Sequence, residues 1–166
     1  MSFYTGGAHC CSDKVVTSGK DGSSWRTVEV GQFDGGPLLA SDRAGDGHYA
    51  FETRDNAFLY TFTCCACSSA PLKILTVENG EAKTVSGDPR FRPAHEAYMK
   101  GIITEVPDED VNDFRAGYVG EKILLGEGRE AWKLILAYYD RASDGGSTFA
   151  RSPSMPRALA PARRSA

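Results

Sequence analysis

The sequence has no long hydrophobic run. None of its 166 residues lies in a stretch approaching the roughly 18 apolar residues that a membrane-spanning helix needs. Its start, MSFYTGGAHCC, has no basic segment followed by an apolar one, so no secretory signal peptide is read there. No glycine-rich loop joins a strand to a helix within a βαβ pattern, which excludes dinucleotide and P-loop nucleotide sites. No acidic residue follows Asp144, although Arg151, Arg157, Arg163 and Arg164 all do. That end, RSPSMPRALAPARRSA, has little apolar surface to bury and reads as a disordered basic tail over 145–166.

What remains has the make-up of one globular domain. Hydrophobic residues are 41% and charged residues 25%, enough for a buried core at this length. Removing the four tail arginines from the 19 basic residues leaves 15 against 22 acids, so the body is acidic. Phosphate binding needs a basic face, so nucleic acid is not expected as the main partner.

The two halves differ in period. Up to about Pro89 the chain alternates and turns often. WRTVEVGQF (Trp25–Phe33) reads as a strand behind a turn at GKDGSS. FLYTFTCCAC reads as another strand, with Phe58, Tyr60 and Phe62 on one face. LKILTVENGEAKTVS reads as a hairpin turning at Asn79-Gly80, a pair suited to the left-handed backbone of a tight turn. Tyr4, Trp25, Phe33, Phe58, Tyr60 and Phe62 are expected to pack the sheet. After GDPRFRP the spacing becomes helical. Pro93 can open one helix, and Pro107 with Asp108, Glu109 and Asp110 marks the start of another. A last helix is read from about Arg129 to Ala142, with Trp132, Ile135, Leu136 and Tyr139 as its apolar stripe. The expected fold is α+β: an antiparallel β-rich half (1–89) covered by two or three helices (90–144), one domain over 1–144.

DRAGDGHYAF (Asp42–Phe51) has the outline of a calcium loop. Such loops space oxygen ligands at alternate residues and place glycine at the sharp turn. Asp42 and Asp46 fit positions one and five, and Gly47 fits the turn. Ala44 and Ala50 fall where further ligands belong, so Asp42 and Asp46 make at best a weak calcium site; the plain alternative is a tight Asp/Gly turn.

GGAHCC, this loop, DNAFLYTF and DPRFRP together resemble a family of uncharacterised bacterial secreted proteins of FG-GAP/VCBS-like repeat character. The resemblance runs from about Tyr4 to Tyr139. It implies a β-rich fold, a calcium-loop type and a periplasmic or secreted location, and it brings no catalytic residue. One loop-bearing unit does not close a propeller. The family also implies an export signal, which is not read at Met1, so the chain is expected to be a shortened form.

Five cysteines divide the functional readings: Cys10, Cys11, Cys64, Cys65 and Cys67. In the first reading, Cys10 or Cys11 pairs with one of Cys64, Cys65 or Cys67. Closing so long a loop is worth about 4 kcal/mol and needs an oxidising compartment. The odd count leaves at least one thiol over. In the second, His9, Cys10, Cys65 and Cys67 hold zinc; the ligand types suit, but the spacing is not that of a zinc knuckle. In the third, one cysteine is a nucleophile with His9 or His95 as its base, without a local orienting group. The favoured expectation is a non-enzymatic extracytoplasmic binding or structural module for an unknown protein or carbohydrate ligand, with no cofactor. The alternative is a metal-dependent or thiol enzyme at the His9/cysteine cluster.

Overall fold

A computed structural model describes residues 1–5, 12–19, 24–34, 38–42, 45–61, 68–104 and 111–138. His9, all five cysteines, Asp108–Asp110 and the expected tail lie outside the described residues. The chain divides into two compact units. One comprises Met1–Asn56 and Leu72–Phe91; the other comprises Ala57–Pro71 and the residues from Arg92 onward.

The first unit is β-structure, as the sequence implied. Strands β1 (Ser2–Tyr4), β2 (Ser12–Gly19) and β3 (Trp25–Phe33) form an antiparallel sheet in that order. β4 (Leu39–Ser41), β5 (Ala50–Arg54), β6 (Leu72–Glu78) and β7 (Glu81–Thr84) form a second. In the first sheet Lys14, Val28 and Phe33 are buried while Asp13, Thr17, Thr27, Glu29 and Gln32 are exposed. This is the alternation of a strand pair with one wet face. A register shift between Lys14 and Val15 marks a β-bulge.

β6 lies between β5 and β7, and Leu72, Ile74, Leu75 and Thr76 are all buried. Burial on both faces explains its near-continuous apolar run. The Asn79-Gly80 turn forms where expected, with φ of 54° and 84°. Beyond β7, Ser86 accepts a hydrogen bond from the Ile74 N–H at 2.9 Å, so a buried hydroxyl is matched to a backbone donor.

The second unit carries α1 (Arg92–Thr104), α2 (Val111–Leu124) and α3 (Gly128–Tyr138). Met99, Phe114, Tyr118, Val119, Leu125 and Ala131 form its core, with Ile102, Ile103 and Ile135 packed against it. Gly126, at φ 80°, ends α2. Glu127 N–H donates to the Lys122 carbonyl at 2.8 Å and Gly126 N–H to that of Ile123 at 3.0 Å, the paired bonds of a Schellman cap. Arg92 clasps the same corner: it donates to the Leu125 carbonyl at 2.8 Å and pairs with Glu127 at 3.1 Å and Glu96 at 2.9 Å. Lys122, and after it Arg92, hold the Glu127 carboxyl below its ordinary range.

Three expectations need correction. The strand read at FLYTF is a 3-10 turn over Asn56–Phe58, followed by Tyr60 at φ 60°. Thr61 Oγ1 donates to the Ala57 carbonyl at 3.1 Å, and such local bonds compete with a strand ladder. Tyr4, Trp25 and Tyr60 are exposed rather than core residues. On α3, Ala131 and Ile135 face the core, while Trp132 and Leu136 are exposed, so the helix is rotated from the stripe its bulky residues suggested.

Ile74 is fully buried at the centre of its sheet. Ile74→Ala should therefore cost about 2–5 kcal/mol, read as a lower urea midpoint at unchanged m-value.

Candidate functional site

Hydrogen bonds join Asp42 to Asp46 and Gly47 across the loop. Asp42 Oδ1 accepts the Asp46 N–H at 3.1 Å, and its Oδ2 accepts the Gly47 N–H at 3.0 Å. Gly45 and Gly47 take φ of 69° and 81°, which side-chain-bearing residues rarely adopt. Asp46 Oδ1 accepts the His48 N–H at 2.9 Å, while its Oδ2 meets Arg90 Nη1 at 3.0 Å. Arg90 also pairs with Asp88 at 2.9 Å. A cation held by Asp42 and Asp46 would compete with each of these partners.

The same bonds set the loop's acid chemistry. The His48 N–H, then the charges of His48 and Arg90, hold the Asp46 carboxyl below its ordinary value; the Arg90 guanidinium does so for Asp88. A lowered folded value gives a contribution present above the unfolded value and lost as pH falls through the folded one. The loop should thus be intact above about pH 4 and loosen below it. Carboxyl titration by NMR should show both groups ionising below the ordinary range, and Arg90→Ala should raise Asp88 more than Asp46, which keeps its bond from the His48 N–H.

The second unit holds a buried polar framework. His95 on α1 and Glu121 on α2 are 1% and 0% exposed, with Nδ1 and Oε1 2.5 Å apart. Burial of either group alone would be costly; burial together, bonded to each other, is tolerated. Nearby in sequence, Asp113 accepts the Ser69 N–H, and Tyr98 Oη donates to the Ala70 carbonyl at 2.8 Å. The Ser68–Pro71 segment is thereby bonded to both α1 and α2. Tyr60 N–H donates to Ser68 Oγ at 3.1 Å, joining the two ends of the stretch that carries Cys64, Cys65 and Cys67. Two small residues of α2 admit the segment. A Cβ on Gly117 would lie 2.6 Å from the Ser69 carbonyl oxygen, and one on Gly120 would lie 2.9 Å from the Phe58 ring. Arg115, fully buried, donates to the Tyr138 carbonyl at the end of α3 and to Asn112 Oδ1 at 3.3 Å. A cation there also complements the negative end of that helix.

The structure therefore treats the sequence-derived candidates differently. Asp42 and Asp46 share one turn. His95 is a packed partner of Glu121 and is closed to solvent. His9, Cys10, Cys65 and Cys67 lie outside the described residues. No group of three or more His, Cys, Asp or Glu side chains able to hold a metal occurs among the described residues. Glu121, Asp113 and Arg115 were not singled out from the sequence. Glu121 had a readable sign: it falls seven residues after Phe114 and three after Tyr118, on α2's apolar stripe.

Comparison with known proteins places these elements in context. Residues 94–163 match the family model of the sll0997 C-terminal domain. His95, Tyr98, Asp113, Arg115, Gly117, Gly120 and Glu121 all fall inside that span, and the Asp42–Phe51 loop falls outside it. The chain is similar to the Probable thylakoid lumen protein sll0997 of Synechocystis sp., with 42% identity over 154 residues, covering 89% of this chain and 45% of that protein. It is also similar to the Uncharacterized protein y4bJ of Sinorhizobium fredii, with 32% identity over 158 residues, covering 92% of this chain and 25% of that one. The chain thus spans less than half the length of either relative. No solved structure matches it. These findings support an uncharacterised bacterial family, while FG-GAP/VCBS repeat character does not appear in them.

His95→Ala and Glu121→Ala should each cost about 3–5 kcal/mol, since each breaks the buried His95–Glu121 pair. The double variant should cost less than their sum by about 1 kcal/mol or more in chemical denaturation. Gly117→Ala, ordinarily a helix-favouring change, should instead destabilise by about 1–3 kcal/mol, because the Ser69 backbone must move.

Proposed function

We propose that this chain serves outside the cytoplasm as a non-enzymatic binding or structural module. The observation that carries the location is its similarity across 89% of its length to a probable thylakoid lumen protein. The structural part of the reading is supported by His95 and Glu121, which are buried against each other within the described interior. Its Asp/Gly loop likewise directs its carboxylates to its own backbone and to Arg90. Weak calcium binding at Asp42 and Asp46 belongs to this reading as a secondary property, as does the FG-GAP/VCBS-like character of that loop. In an oxidising compartment, cysteines from the 10–11 and 64–67 groups would form a disulfide between them.

Fractionation of the host cell, with the intact mass measured before and after reduction, tests this reading. The protein should leave with the extracytoplasmic fraction. Its denatured mass should be short by the hydrogens of at least one disulfide, regained on reduction. A cytosolic protein with every thiol free, carrying zinc in its native mass, would replace the module with the metal-site enzyme centred on His9, Cys10, Cys65 and Cys67.

A further inference from the structure

The exposed face of the β1–β2–β3 sheet has a chemistry that neither the fold nor the buried framework requires. Trp25 is 67% exposed, although it begins a strand whose other large apolar residues turn inward. It sits opposite Gly19 in the register. A Cβ on Gly19 would lie 3.1 and 3.2 Å from indole atoms of Trp25, so the ring lies across the glycine and against the sheet. The outward residues follow in cross-strand rows: Gly19 opposite Trp25, Thr17 opposite Thr27, Val15 opposite Glu29 and Asp13 opposite Gln32. Successive rows are about 7 Å apart along the strands. The Thr17 and Thr27 hydroxyls are 3.1 Å apart, and Gln32 Nε2 donates to Asp13 Oδ1 at 3.1 Å.

We infer that this face binds a neutral polysaccharide, with Trp25 as the stacking platform and the Thr17–Thr27 and Asp13–Gln32 rows as its hydrogen-bonding track. This rests on the reading of the chain as a binding module and names its ligand class. A pyranose ring has one face of C–H groups, which suits a flat aromatic surface, and a rim of hydroxyls that both donate and accept. Paired threonine hydroxyls and a carboxylate–amide pair offer both roles on one face, on either side of the Val15–Glu29 row. The charge on the face narrows the class. Its charged groups, Asp13 and Glu29, are both acidic, and Lys14 is buried on the opposite side, so phosphate- and sulfate-bearing polymers are repelled. A protein partner would want a contiguous apolar centre, whereas the Thr17–Thr27 row separates Trp25 from Val15. Asp13 accepts from Gln32, so this row presents a hydrogen-bonded carboxylate–amide pair.

The test is titration of the full chain with hydroxyethyl cellulose, galactomannan and laminarin, with poly-lysine as the cationic comparison. Calorimetry gives the affinity, and tryptophan fluorescence in a Trp132→Phe background reports on Trp25. At least one glycan should bind and shift the Trp25 emission. Trp25→Ala and Thr27→Val should each weaken binding by about tenfold or more, with an unchanged circular dichroism spectrum. If Trp25→Ala does not fold, Thr27→Val and Gln32→Ala carry the comparison. No binding to any of the glycans, binding that survives these substitutions, or binding to poly-lysine alone would overturn the inference. Any of those results from a protein found outside the cytoplasm leaves the module reading standing. A cytosolic location removes that reading whatever the glycans do.

Discussion

Two ionisable side chains buried against each other fix how the helical unit can be assembled. His95 and Glu121 are buried and bonded to each other, which favours the register of α1 and α2 that brings Nδ1 and Oε1 together. The other features of the unit agree with that register. Gly117 and Gly120 open α2 to the Ser68–Pro71 segment, Asp113 takes up one backbone donor of that segment, and Tyr98 supplies a donor to one of its carbonyls. Arg92 and the Gly126 cap then set the turn from α2 into α3, and Arg115 closes the far end of α3. Apolar packing stabilises these helices; the polar contacts decide which faces touch.

Much of the fold could be read in the residues. The hairpin at Asn79-Gly80 carries its own turn chemistry, and β6 announces its central place by an apolar run too continuous for a half-wet strand. The change of period after Pro89 marks the helices. Two kinds of error have physical causes. At Phe58–Thr61 the alternation of aromatics imitates a strand, but a local side-chain bond and a left-handed Tyr60 make a turn instead. On α3, size misled: small Ala131 is buried in the helical core, and bulky Trp132 and Leu136 are left outside. Hydrophobicity alone does not say which side of a helix a neighbour will occupy.

The candidate sites were less legible because their meaning lies in partners. Asp42 and Asp46 have the spacing of cation ligands, yet Asp42 bonds the loop's own amides and Asp46 meets Arg90, 44 residues later in the chain. The sequence offers His95 as a base; the proximity of Glu121 shows that it is packed and paired. The exposed sheet face went unread for the opposite reason. Trp25 was assigned to the core by residue type, and its exposure becomes visible only with the strand register and with Gly19 beneath the ring.

Native-state hydrogen exchange at single-residue resolution tests this account of the helical unit most directly. The Ser69 amide lies in a connecting segment yet donates to the buried Asp113 carboxylate. It should exchange as slowly as the amides of α1 and α2 around His95 and Glu121, with the same opening free energy. Exchange of Ser69 at the rate of an exposed loop, while the helices stay protected, would contradict the claim that the buried polar framework joins that segment to the helices.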